Sequence, residues 1–270
     1  MTLVAAVVCP HPPLLVPAVG AGEPVAAREP ALAAVRRLRD ANPDVVVVVG
    51  DDPHTAADAR DYPPSAVGDF HGFGVPLRVP LGDPASAGTG DAGAGTVGAL
   101  PLSLAVGAWL LAASGWPVPR RGLGVSPRAD AARAAALGAR LVTSRPDERL
   151  ALLVMGDGSA RRTLQAPGWL DERAEPFDAA VERALAGVDL AALLALDASL
   201  AVDLLVAGRA SWQVLAGAVE AAGRGGGEAG TSGWSADVLY AHAPYGVGYF
   251  VCLWEPEVAG DVVSAGAGRR

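Results

Sequence analysis

Two of the four histidines stand where a chain often places catalytic or metal-binding groups, just past short apolar runs. His11 follows TLVAAVVC within VVCPHPPLLVPAVG, and His54 follows DVVVVVG within GDDPHT. Imidazole is a common metal donor and the side chain whose proton exchanges near neutrality. Two histidines and one carboxylate form the donor set of non-haem Fe(II) oxygenases, with coordination positions left for substrate and oxygen. Asp51 and Asp52 stand beside His54, so His11, His54 and Asp52 are the candidate metal set. Prolines at 10, 12 and 13 restrict the backbone around His11 and remove amide donors. The same spacing also fits a plainer arrangement, in which His11 closes a loop, His54 faces water and Asp51 and Asp52 shape an Asp-Pro turn.

These side chains need strands to bring them together. Residues 2–9 and 44–50 are short apolar runs of the kind buried in a parallel sheet. Between them, Val25 to Ala41 carries Val25, Leu32, Val35 and Leu38 near helical spacing and is stopped by Asn42 and Pro43. A strand, a helix and a second strand in succession imply an α/β fold. In such sheets ligands bind beyond the carboxyl ends of the strands, which places His11 and His54 on one rim. Further along, the pattern predicts a polar loop at 51–74, a surface insertion at 82–99 and a helix about 101–114. A strand near 117–125, a helix at 128–143 and a buried strand at 149–155 follow. Helices are expected around 175–186, 189–195 and 199–222, the last broken near Gly208, then a glycine-rich connector at 223–233. The stretch WSADVLYAHAPYGVGYFVCLW has the alternation and turn chemistry of a hairpin. The expectation is one α/β domain over residues 1–257, with a mixed central sheet and helices on both faces, and a flexible tail at 258–270.

Composition narrows the chemistry. All 21 basic residues are arginine, so Schiff-base catalysis, pyridoxal phosphate attachment and the lysines of phosphate loops and kinases are excluded. The absence of lysine and isoleucine, with abundant Ala, Arg, Gly and Pro, reads as a GC-rich bacterial coding bias. A net charge of −8 argues against a nucleic-acid partner. Two cysteines are too few for a disulfide framework, and a reduced, cytoplasmic chain is expected. The start MTLVAAVVC lacks the basic n-region of a lipoprotein signal. The uncharged stretch 92–119 is broken by glycines and prolines and is expected as a buried helix, with no membrane partner. Ser159 has no nucleophile elbow around it.

In the order CPHPPLLVPAVG, GDDPH, GDFHGFG and GDGSARRT, with the hairpin LYAHAPYGVGYF, residues 3–254 resemble the class III extradiol ring-cleavage dioxygenases. This is the LigB superfamily, which also contains the MEMO-type proteins; the PHPP block is the most specific piece. The resemblance implies a LigB-like fold and Fe(II)-dependent cleavage of a catechol-type aromatic, with His11 and His54 as the first two metal ligands. Zn(II) at the same histidines, serving a hydrolase, is a lesser alternative, and a protein that binds no metal is another. Two positions depart from the family. The third ligand falls at Ala207 or Gly208, and the acid/base histidine falls at Ala160, none of which carries a donor side chain. Asp52, Asp157 or Asp203 are the replacement ligands to consider, and His71, His242 and Asp157 the replacement catalytic groups. Ser159 and Arg161 are candidates to contact substrate. The losses make a catalytically degenerate binding or scaffold protein the competing expectation, and a homo-oligomer is compatible with either.

Overall fold

A computed structural model describes residues 2–82, 99–144, 147–224 and 233–257. The apolar runs form the centre of a mixed seven-stranded sheet in the order β3-β6-β2-β7-β1-β9-β8. Its parallel middle consists of β1 (Thr2–Cys9), β2 (Val45–Asp51), β6 (Arg120–Val125) and β7 (Arg149–Met155). β-Branched and aliphatic residues suit these positions because both faces of the sheet are covered. The antiparallel strands lie outside them, with β3 (Ala59–Tyr62) on β6 at one edge and the hairpin of β8 (Trp234–His242) and β9 (Tyr249–Pro256) against β1 at the other. A separate two-stranded ladder joins β4 (Val67–Asp69) to β5 (Arg78–Pro80).

On one face pack α1 (Arg28–Asp40) and α2 (Leu102–Ala113), around Leu38, Leu104 and Phe70. On the other lie α3 (Ala131–Thr143), α4 (Ala174–Ala186), α5 (Leu190–Leu194), α6 (Ala198–Asp203) and α7 (Arg209–Arg224), around Trp212, Val181 and Phe250. Asp130, Asp189 and Asp197 each cap a helix, accepting from the amides of Arg133, Ala192 and Leu200. α3 and α7 approach through glycine: a β-carbon on Gly138 would stand 1.9 Å from the Val214 carbonyl oxygen, and one on Gly217 would stand 2.1 Å from that of Ala135. Cys9 and Cys252 are free and buried, and their side chains enter opposite cores.

The expected α/β architecture, the hairpin and the helix break before Gly208 are all present. The first helix starts three residues later than its apolar spacing predicts, at Arg28. The stretch 51–74 is not a loop throughout, because β3 and β4 lie within it. Both are short, and β3 owes its form to pairing with β6 more than to its own ARDY pattern. The expected insertion falls almost wholly at 83–98, outside the described residues, as do most of the connector (225–232) and the tail from 258. No helix among the described residues is long and apolar enough to cross a membrane.

Candidate functional site

Three neighbouring parallel strands, β2, β7 and β1, end at the same rim of the sheet. Asp51 is the last residue of β2, Asp157 lies two residues past β7, and His11 lies two residues past β1. The loops after β1 and β7 are joined by backbone, since the Gly156 amide donates to the Cys9 carbonyl at 2.9 Å. The His11 amide donates to Asp157 Oδ1 at 2.8 Å. The imidazole is therefore held between two carboxylates: Nε2 stands 3.4 Å from Asp51 Oδ1, and Nδ1 stands 3.8 Å from Asp157 Oδ1. His11 is only 6% exposed, and its Nδ1 has no hydrogen-bond partner. Both separations exceed a good hydrogen bond, so the carboxylates flank the ring at contact distance without satisfying its nitrogens.

Burial pushes both acids above the ordinary carboxylate range, and the charge of His11 offsets this only in part. Asp51 and its neighbours add mutual repulsion, Asp52 raising Asp51 and Asp51 raising Asp157. Tyr249 on β9 is also held above its usual range, first by burial and then by the Asp157 charge. Buried acids shifted in this direction, beside an imidazole, suit proton exchange with a bound molecule.

The shifts carry a stability consequence. The native state binds the Asp157 proton more tightly than the unfolded chain does. The group's stabilising contribution is thus fully present at low pH and lost as pH rises through the raised value. Asp157→Asn keeps an oxygen acceptor for the His11 amide and removes the buried charge. The variant should melt about 2–4 °C above the parent at neutral pH, corresponding to about 1 kcal/mol. That gap should narrow as pH falls through the raised value and close once the carboxyl is protonated in both the native and the unfolded chain. Thermal melts across this range check it; a gap independent of pH would exclude the charge as its cause.

Of the residues singled out from sequence, His11 and Asp157 meet at this rim, and Asp51 completes their arrangement. Asp52 is buried but engaged: Oδ1 accepts from the His54 amide at 3.0 Å and Oδ2 from the Tyr62 hydroxyl at 2.8 Å. It shapes the turn that leaves His54 exposed. His71 is exposed on a turn after β4, its Nδ1 2.6 Å from Asp69 Oδ1. His242 is exposed at the end of β8, edge-on to Tyr240. Ser159 is fully buried and donates its hydroxyl to Asp178 at 2.8 Å. Arg161 is half-buried with an unpartnered Nε, and Asp203 is exposed and paired with Arg173.

Ala207 and Gly208 do reach the rim. The Ala207 amide donates to the Asp157 carbonyl at 3.1 Å, and a β-carbon on Gly156 would stand 2.7 Å from the Gly208 Cα. With Asp51 they line a cavity of about 20 Å³, enough for one water-sized occupant. Ala160 is tied into the backbone at Leu204 and Gly168. Among the described residues no group of three or more His, Cys, Asp or Glu is placed to hold a metal ion. A three-ligand iron centre therefore does not fit the donor set, given an exposed His54 and an Asp52 already engaged by Tyr62.

Asp51, which the sequence offers both as a carboxylate beside His54 and as an Asp-Pro turn residue, ends β2 and faces His11, while Tyr249 and Asp178 carry no local signal. The signal for Asp51 was present in its position at the end of the valine run.

No family model matches the chain, and no curated protein matches it. A solved structure titled as that of the uncharacterized protein JW3007 from Escherichia coli K12 is similar in fold, at 15% identity over 93% of this chain and 99% of that one, with a TM-score of 0.53. At that identity the likeness carries the α/β fold with its mixed sheet, and nothing further.

Proposed function

We propose that the chain is a class III extradiol dioxygenase-like protein that receives the hydroxyl edge of a small catechol-type aromatic at the mouth of the His11 rim, the ring itself lying outside the water-sized cavity, and does not cleave that ring. The observation that carries this reading is the placement of His11 between Asp51 and Asp157, at the joined ends of three parallel strands. Two carboxylates beside one imidazole can accept hydrogen bonds from adjacent hydroxyls, which is the recognition an aromatic diol requires. The positions that resemblance assigns to the third metal ligand and the acid/base lie at or near the rim as Ala207, Gly208 and Ala160, with no side-chain donor. A general acid/base contributes about 10²–10⁴-fold to a rate, so its loss removes turnover without disturbing the fold.

One observation favours the ring-cleaving alternative: the buried Nδ1 of His11 has no hydrogen-bond partner. Calorimetry with catechol and an oxygen electrode separate the two. The expected result is saturable catechol binding, weakened at least tenfold in His11→Ala, with no oxygen uptake after anaerobic loading with Fe(II). Oxygen uptake that tracks added catechol and vanishes in His11→Ala would replace binding by catalysis. A parent protein that binds no catechol would remove both.

A further inference from the structure

Away from the rim, between β6 and the C-terminal end of α3, lies a cleft of about 570 Å³. Strand periodicity explains how it is lined. Arg120 points into the α1–α2 side, where its guanidinium donates to the Trp116 carbonyl at 2.8 Å. Arg121, one residue on, points to the opposite face with Leu123 and Val125. There it lines the cleft together with Arg140 of α3, beside Val47 and Leu141; Asp61 also lines it. In register, Arg121 is level with Val47, four residues before the end of β2, so the cleft is about 13 Å along the strands from Asp51.

We propose that this cleft is a binding site for a small organic anion, a carboxylate or phosphate carried on an apolar body. Neither guanidinium has a carboxylate within ion-pairing distance among the described residues, unlike Arg37, Arg133, Arg162 and Arg173, which are paired. Arg140 sits in the last turn of α3, where a cation complements the helix dipole. Arg121 has no such reason to be there. A half-buried cation on a strand, facing a concave apolar wall, gains most from an oxyanion that accepts from its planar fork. Two arginines bordering one cleft provide that recognition, and Val47 and Leu141 receive the apolar part. Asp61 can accept from a hydroxyl or ammonium group on the same molecule. The cleft does not involve His11, so its occupancy is independent of what the rim binds.

Calorimetric titration of the full chain with benzoate and with phenyl phosphate tests the assignment. Saturable binding of either is expected, weakened at least tenfold in the Arg121→Gln/Arg140→Gln double variant. It should be unchanged in Arg183→Gln, which removes an exposed charge from α4. Binding of benzoate alone assigns a carboxylate, and of phenyl phosphate alone a phosphate. Absence of binding by both probes, affinity undiminished in the double variant, or equal weakening in Arg183→Gln would each overturn it.

Discussion

Asp178→Ala is expected to destabilise the protein by about 3–5 kcal/mol, the usual consequence of removing one member of a buried, charged hydrogen-bond cluster. The carboxylate is 2% exposed, and every oxygen is used. Oδ1 accepts from the Ser159 amide at 2.8 Å; Oδ2 accepts from the Ser159 hydroxyl at 2.8 Å and from Arg162 at 3.2 Å. Alanine would leave two buried donors and a half-buried guanidinium without an acceptor. Two glycines make room for this carboxylate, since β-carbons on Gly158 and Gly248 would stand 2.8 and 2.5 Å from its oxygens. Asp178 thereby fixes the loop that carries Asp157 and, through it, the position of His11. Asp178→Asn retains an acceptor for the Ser159 amide, removes a charge that burial already disfavours, and should lose less than half as much. Denaturant unfolding of the two variants checks the ordering; equal losses would show that the carboxylate charge, and not its hydrogen bonds, is what matters.

Gly138→Val should cost about 3 kcal/mol by overpacking, lowering the melting temperature by about 6–12 °C. The nearest obstacle to a side chain is the backbone of α7, at Val214 and Ala218, which cannot move aside as a flexible side chain can. The two helices would have to separate along their whole contact, which the reciprocal approach at Gly217 also holds closed. Gly72→Ala is the matched control, because nothing lies within 4 Å of its would-be β-carbon. It should change stability by no more than about 0.5 kcal/mol. A tolerated Gly138→Val, with a melt like the control's, would mean that the helices pack more loosely than these distances describe.

The parts of the fold that the sequence made legible are those with strong local patterning. The valine run of β2, the apolar β1 and β7, and the hairpin with its Pro-Tyr-Gly turn each declare themselves within a few residues. β3 and β4 do not, because ARDY and VGD have no apolar alternation and become strands through their partners. The site divides in the same way. His11 was visible at the end of its strand, but its carboxylate neighbours depend on β7 inserting between β1 and β2, which local pattern does not specify. Counting residues past a strand also placed His54 on the rim. The turn built by Asp52 and Tyr62 instead leaves it in solvent, because an inward carboxylate two residues earlier reverses the chain.

The central position of β1 bears on how the protein is made. Its hydrogen-bonded neighbours are β7 and β9, which begin at residues 149 and 249. On a ribosome adding about 5–20 residues per second, the first strand emerges roughly 12–50 s before the last partner that covers its free edge. During that interval a strand of eight mostly apolar residues has an unpaired side. His11 and Asp157 cannot meet until more than half of the chain has been synthesised, so the rim is assembled late, by the same docking that shields β1 from neighbouring chains.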